Sequence, residues 1–160
     1  MLVAAVFLLT SFSCRGGETG ETQSTSWQNA TILVSLDGFR WDYRDYFSTP
    51  TLDSLTERGV VANLRPPFPS KTFPSHHSIA TGLWPNHHGV VGNSMYDPEL
   101  DSRFSMGDSA AVSDGRWWGG EPIWVTAEKS GLTAATFFWP GTEASIDGVR
   151  PTFWKPYSDG

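Results

Sequence analysis

Pro69 to His77 reads Pro-Ser-Lys-Thr-Phe-Pro-Ser-His-His, with a hydroxyl, Thr72, two residues ahead of a proline. Proline is tolerated in a first helical turn, because the N–H it lacks would be unpaired there anyway. Ser75 to Gly82 then has few breakers and ends at a glycine, which predicts a short helix with Thr72 at or just ahead of its N-terminus. Free backbone N–H groups and the positive end of the helix dipole gather at such a point and suit a phosphate or another oxyanion. From this stretch alone Thr72 is either an ordinary cap or turn residue, a frequent use of threonine, or a hydroxyl placed beside an anion site.

The neighbouring segments set the fold class. Thr31–Leu36 is a short β-rich apolar run, stopped by Asp37-Gly38. Such a run suits a strand buried on both faces in a parallel sheet. Ligand sites of open α/β sheets lie beyond the carboxyl ends of strands, where Asp37 stands. Asp37 is therefore either a metal ligand or half of a common Asp-Gly turn. Thr49–Gly59 carries helix punctuation at both ends, with Thr49 to cap, Pro50 for the first turn and Gly59 as the stop. Val60–Leu64 reads as the next strand. A βαβα order would put Asp37 and Thr72 at the same edge of one parallel sheet, since right-handed crossovers return each strand in the same direction.

Further along, Val90–Pro98 begins like a short strand, and Asn93 falls where a helix and turn can bring it back toward Thr72. An Asn N–H beside a nucleophile donates to developing negative charge; an Asn beside Gly92 is equally a turn residue. Asp101–Gly119 reads as an irregular excursion. Glu121–Gly131 reads as a helix, Thr133–Trp139 as a strand, and 142–160 as loop with unpartnered Phe153, Trp154 and Tyr157. The four histidines form two adjacent pairs, His76-His77 and His87-His88. Adjacent residues on a helix point about 100° apart, and no HxH or HExxH spacing is present, so structural roles are expected for all four rather than metal ligation.

The net charge is −6, with no basic run, which excludes a nucleic-acid coat protein. Any positive charge needed for phosphate is then expected from a metal cation. The single cysteine, Cys14, excludes an intrachain disulfide. The apolar stretch Leu2–Leu9 is too short to span a bilayer and fits the core of an export signal. Ser11-Phe12-Ser13-Cys14 after it resembles the lipobox of bacterial lipoproteins, which makes Cys14 a candidate lipidation site. The organisation expected is thus an export signal over 1–14, a Gly/Ser/Thr/Glu-rich tether over 15–28 and a folded part over 29–160, exported to a bacterial periplasm or outer membrane. A membrane contact is expected only through that N-terminal lipid.

Four ordered motifs then come together: Ile32–Arg40, Lys71-Thr72-Phe73-Pro74, Gly92–Pro98, and Gly120–Trp124 through Phe137–Gly141. Their order and spacing resemble the nucleotide pyrophosphatase/phosphodiesterase family of the alkaline phosphatase superfamily, over about residues 31–160. The resemblance implies an α/β fold, a mostly parallel sheet flanked by helices, incomplete in this chain, and two bound zinc ions. It implies that Asp37 is a zinc ligand and that Thr72 is both zinc ligand and nucleophile, forming a phosphoryl- or nucleotidyl-threonine. It implies that Asn93 binds a non-bridging phosphate oxygen and that Phe73 packs on the nucleobase. The family's remaining zinc ligands lie beyond the matched region, so the chain is expected to be the N-terminal part of a longer enzyme, its missing C-terminal half being a partner of the site.

The activity so implied is zinc-dependent hydrolysis of a small phosphodiester or pyrophosphate, nucleotides or related, with no nucleic-acid polymer as substrate. A threonine hydroxyl is a weak nucleophile until a base or metal activates it, and a two-metal site stabilises both attacking and leaving oxygens. The alternatives are phosphomonoester or lipid-headgroup hydrolysis within the superfamily, and a non-catalytic lipoprotein that uses the fold for binding.

Overall fold

A computed structural model of the chain describes residues 5–9 and 30–157. The chain divides into two units, one within Ala4–Leu64 and one from Arg65 onward. The expected tether and Cys14 lie outside the described residues.

In the first unit, β2 (Ile32–Leu36) forms where the apolar run predicts it. Its partner is β1 (Ala5–Leu9), in antiparallel register from Ala5 opposite Leu36 to Leu9 opposite Ile32. β1 is part of the stretch expected to be an export-signal core. A short helix α1 (Tyr43–Tyr46) follows, with Tyr43 edge-on between Phe39 and Phe47 at 5.5 and 5.7 Å. Next, α2 (Pro50–Arg58) starts on its proline and stops at Gly59 as expected. Arg44 ties the two helices, donating to Asp53 at 2.8 Å and to Thr56 at 3.0 Å. Val60–Leu64 differs from expectation, for it is not a strand and Val60 is 97% exposed. β-propensity alone does not make a strand; the ladder's backbone groups need a partner. Among the described residues there is thus no return strand from which Asp37 and Thr72 could be placed at one sheet edge.

The second unit opens with α3 (Thr72–Thr81) and α4 (Pro85–His88), each closed by a glycine in the left-handed region, Gly82 at φ 71° and Gly89 at φ 80°. The strand expected from Val90 begins later, as β3 (Ser94–Asp97). Val90 is instead fully buried, its N–H given to the His88 ring. β3 pairs antiparallel with β4 (Ser102–Ser105). The supposed irregular stretch therefore holds a strand, and it also holds α5 (Ser109–Val112), capped by Asp108, which accepts the N–H groups of Ala110 and Ala111. Such Asx caps are short-range and easily missed among Gly and Ser. A 3-10 turn, Gly115–Trp117, is capped by Asp114 in the same way. The last elements are α6 (Ile123–Lys129), β5 (Ala135–Phe137) and β6 (Phe153–Lys155), the last two forming a parallel pair. β6 lies in the segment read as loop.

The core of this unit is aromatic: Phe73, Phe104, Trp117, Trp118 and Trp124, closed by Val90, Val125 and Ile146. Trp118 is its centre. The ring lies 5.8 Å from Phe73 and 5.7 Å from Phe104, and its indole N–H donates to the Val112 carbonyl at 2.9 Å. An indole so buried contributes on the order of 4–6 kcal/mol of transfer free energy, provided its N–H is paired. Gly141, at φ 88°, lies against the ring; a Cβ there would come within 2.7 Å of it.

Candidate active site

Thr72 is the first residue of α3, and Lys71 before it is extended, with no side-chain cap bond. The helix begins there because Ser75 N–H already reaches the Lys71 carbonyl at 3.0 Å while Pro74 has no N–H to satisfy. Thr72 is half-buried, with its hydroxyl at the end of the helix where unpaired N–H groups collect.

One of those groups has a specific partner. Phe73 N–H donates to Asn93 Oδ1 at 3.0 Å. Because a backbone N–H can only donate, the amide oxygen must face it, and this fixes the orientation of the Asn93 amide. Its NH2 group is then the donor left for another acceptor. The backbone of Asn93 is held as well, its carbonyl accepting Met106 N–H at 2.9 Å. Gly92 just before it admits no side chain, since a Cβ would lie 2.8 Å from the Ser94 carbonyl oxygen. Asn93 thus lies at a bend after Gly92, and its side-chain oxygen reaches the residue after Thr72.

Phe73 is 9% exposed and lies in the core, its ring 5.8 Å from both Phe104 and Trp118. Its backbone, rather than its ring, is what meets Asn93. Asp37 is exposed, directly after β2, where Gly38 at φ 71° makes the turn that the Asp-Gly pair suggests. Asp37 belongs to the first unit, Thr72 and Asn93 to the second. Among the described residues no three His, Cys, Asp or Glu side chains gather as a metal site requires, so these residues by themselves do not make a zinc centre.

Three of the histidines, His76, His77 and His88, have side-chain hydrogen bonds within the chain. His76 Nδ1–H donates to the Thr72 carbonyl at 2.8 Å. His77 Nε2–H donates to the Gly119 carbonyl at 2.8 Å, and His88 bonds Ser78 at 2.9 Å. Burial pushes both His77 and His88 down to about 4. The contact of these two rings, and the part of Gly119 between them, was invisible in the sequence; the doubled His-His pairs were its only trace. Burial likewise raises the Glu143 carboxyl, one of whose oxygens is buried without a hydrogen bond.

Comparison with known proteins gives a consistent result. The chain is 45% identical over 131 residues to human ectonucleotide pyrophosphatase/phosphodiesterase family member 1, spanning 80% of this chain and 14% of the relative. It is 45% identical over 134 residues to venom phosphodiesterase 2 of Crotalus adamanteus, spanning 82% of this chain and 16% of that one. The chain thus spans about a seventh of the curated relatives it matches. Among solved structures, murine ectonucleotide pyrophosphatase/phosphodiesterase 5 superposes with a TM-score of 0.71 and 35% identity, over 75% of this chain and 32% of that one. An inactive threonine-to-alanine form of the same murine protein, in complex with AMP, superposes equally well. The chain is accordingly α/β, with part of the alkaline-phosphatase-like fold of these neighbours. The model of type I phosphodiesterase / nucleotide pyrophosphatase matches residues 31–160, and the chain belongs to that family.

Proposed function

We propose that this chain carries the nucleophile end of an exported, zinc-dependent enzyme that hydrolyses phosphodiester or pyrophosphate bonds in small nucleotide-like substrates. The observation that carries the reading is the bond from Phe73 N–H to Asn93 Oδ1, at 3.0 Å, beside the hydroxyl that opens α3. It supports a site in which nucleophile and oxyanion donor are neighbours. The names of the relatives support the reaction class, and a solved relative inactivated by a threonine-to-alanine change supports a threonine at its centre. "Ectonucleotide" and "venom" in those names support export.

In this reading Thr72 Oγ1 attacks phosphorus and the P–O bond to the leaving alcohol or nucleotide breaks. The hydroxyl proton passes through solvent to the leaving oxygen, and the phosphoryl group stays on Thr72 Oγ1 with the substrate's other ester group, as a nucleotidyl-threonine where that group is a nucleoside. Water then attacks the same phosphorus and the threonine oxygen leaves. The Asn93 NH2 donates to a non-bridging oxygen, where negative charge builds in both steps. Asp37 and Thr72 are the proposed donors from this chain toward zinc. Phe73 is the proposed nucleobase contact, a role that requires its buried ring to become accessible. Cys14 is the proposed lipid attachment point, so that the enzyme sits at a membrane surface through its N-terminus alone.

Thr72→Ala in the protein encoded by the full gene tests the reading. Hydrolysis of a nitrophenyl phosphodiester falls to the uncatalysed level while the fold, followed by circular dichroism, is kept. Undiminished hydrolysis would remove Thr72 from its role. Calorimetric titration with zinc tests the cofactor separately: binding weakens in Asp37→Asn, and equal affinity in the two proteins overturns the ligand assignment.

A further inference from the structure

Behind Thr72, on the same helix, the second unit holds an arrangement that the proposed chemistry does not use. His77 and His88 are almost wholly buried, with ring centroids 4.8 Å apart and planes near perpendicular. Hydrogen bonds fix the tautomer of each. The Gly119 carbonyl can only accept, so His77 carries its proton on Nε2. His77 Nδ1 is buried with no hydrogen-bond partner. Val90 N–H donates to His88 Nδ1 at 3.1 Å, so the proton of the neutral ring is on Nε2, which donates to Ser78 Oγ at 2.9 Å. Gly119 closes the circuit. Its N–H donates to the His88 carbonyl at 3.0 Å while its own carbonyl accepts the hydrogen bond from His77 Nε2–H. A Cβ on Gly119 would lie 2.8 Å from the His88 oxygen, so the backbones meet too closely for any other residue.

We propose that His77, Gly119 and His88 form a latch of neutral histidines that positions the first turn of α3, and that protonation of either ring opens it. The inference rests on the reading of Thr72 and Asn93 as site residues. α3 is a single rigid rod from Thr72 to Thr81, so pinning it at His77 and Ser78 sets where its first turn lies against Asn93. Trp118 adds a second route, since it touches the His77 ring at 5.2 Å and the Phe73 ring at 5.8 Å. A proton on His88 Nδ1 would face the Val90 N–H, donor against donor. A proton on His77 Nδ1 would be a buried charge with no acceptor. The titratable groups acting on the pair are His88, on His77, and His87 of α4, on His88; none is a carboxylate able to compensate that charge.

The sign follows from burial, which holds both rings at about 4, below the ordinary 6.5. The stability they lend is full above pH 6.5, declines as pH falls, and is gone below about 4. These residues act through the helix, not on substrate, so they are positioning residues. The test is nuclear magnetic resonance on the full chain, with 15N ring shifts for His77 and His88 and hydrogen exchange of the Phe73 amide. Both rings are expected as neutral Nε2–H tautomers from pH 8 to 5. In His77→Leu the Phe73 amide exchanges about tenfold faster, as one lost buried hydrogen bond predicts. In His77→Gln, which keeps the donor and cannot take a proton, protection at pH 7 is restored and its decline toward pH 4 is shallower. A charged or Nδ1–H ring at pH 7, or Phe73 exchange indifferent to His77→Leu, overturns the latch. Should His77→Leu not fold, a decline in His77→Gln as steep as in the parent chain does so. None of these readouts depends on turnover, so a catalytically competent Thr72→Ala protein would sink the proposed chemistry and leave the latch standing.

Discussion

At the scale of single residues the account turns on Asn93. Its amide oxygen satisfies an orphan donor of α3, and its nitrogen is the group that the proposed function uses as a donor to phosphate. Asn93→Asp separates them. A carboxylate still accepts the Phe73 N–H, so stability is nearly kept, but the donor is gone and a negative charge faces the phosphate. Phosphodiester hydrolysis is expected to fall by about 10²–10³-fold, the range for losing one oxyanion donor, with little change in the urea midpoint. A kinetic assay beside an unfolding curve checks both halves. The sequence alone made this residue ambiguous, because Gly-Asn turns are commonplace; only the fold decides whether such a side chain also reaches another element. Asp37 remains legible in the same two ways, as ligand and as turn, and its turn is formed by Gly38.

Among the elements, helices were the most legible. α2, α3 and α6 formed where proline and glycine punctuation placed them, because caps and breakers act locally. Strands were less so. Val60–Leu64 has the right residues and no partner, while β6 has a partner, β5, and nothing in its own sequence to announce it. The joint between α6 and these strands rests on Glu128. One carboxylate oxygen accepts Ala134 N–H at 2.9 Å and both Thr152 N–H and Thr152 Oγ1–H at 2.7 Å. Those bonds hold the Glu128 carboxyl below its ordinary 4.5. Its contribution is therefore present above pH 4.5 and fades as pH falls below that value. Glu128→Ala is expected to lower the urea midpoint at pH 7 and to differ less from the parent chain at pH 3; an equal difference at both would remove the carboxylate from this joint. Gly119→Ala belongs to the same scale. Its methyl would collide with the His88 backbone, at a cost of about 1–3 kcal/mol typical of overpacking, read as a lower thermal midpoint.

For the whole molecule, charge and membership agree. A net charge of −6 leaves little to attract phosphate over long range, so the proposed function would rely on a few placed groups and a cation. Among the described residues no helix is long and apolar enough to cross a membrane. The family was legible from four short motifs, three of which hold a residue whose position the proposed chemistry fixes: Asp37, Thr72 and Asn93. What lies between them follows packing, and packing admits many sequences. The most direct measurement is mass spectrometry of the full-gene protein, acid-quenched during turnover of a nitrophenyl phosphodiester. The account predicts an adduct on the peptide containing Thr72 with the mass of the phosphoryl group plus the substrate's remaining ester group, absent in Thr72→Ala. Steady turnover with that peptide unmodified at every time point, or an adduct on another residue, would contradict it.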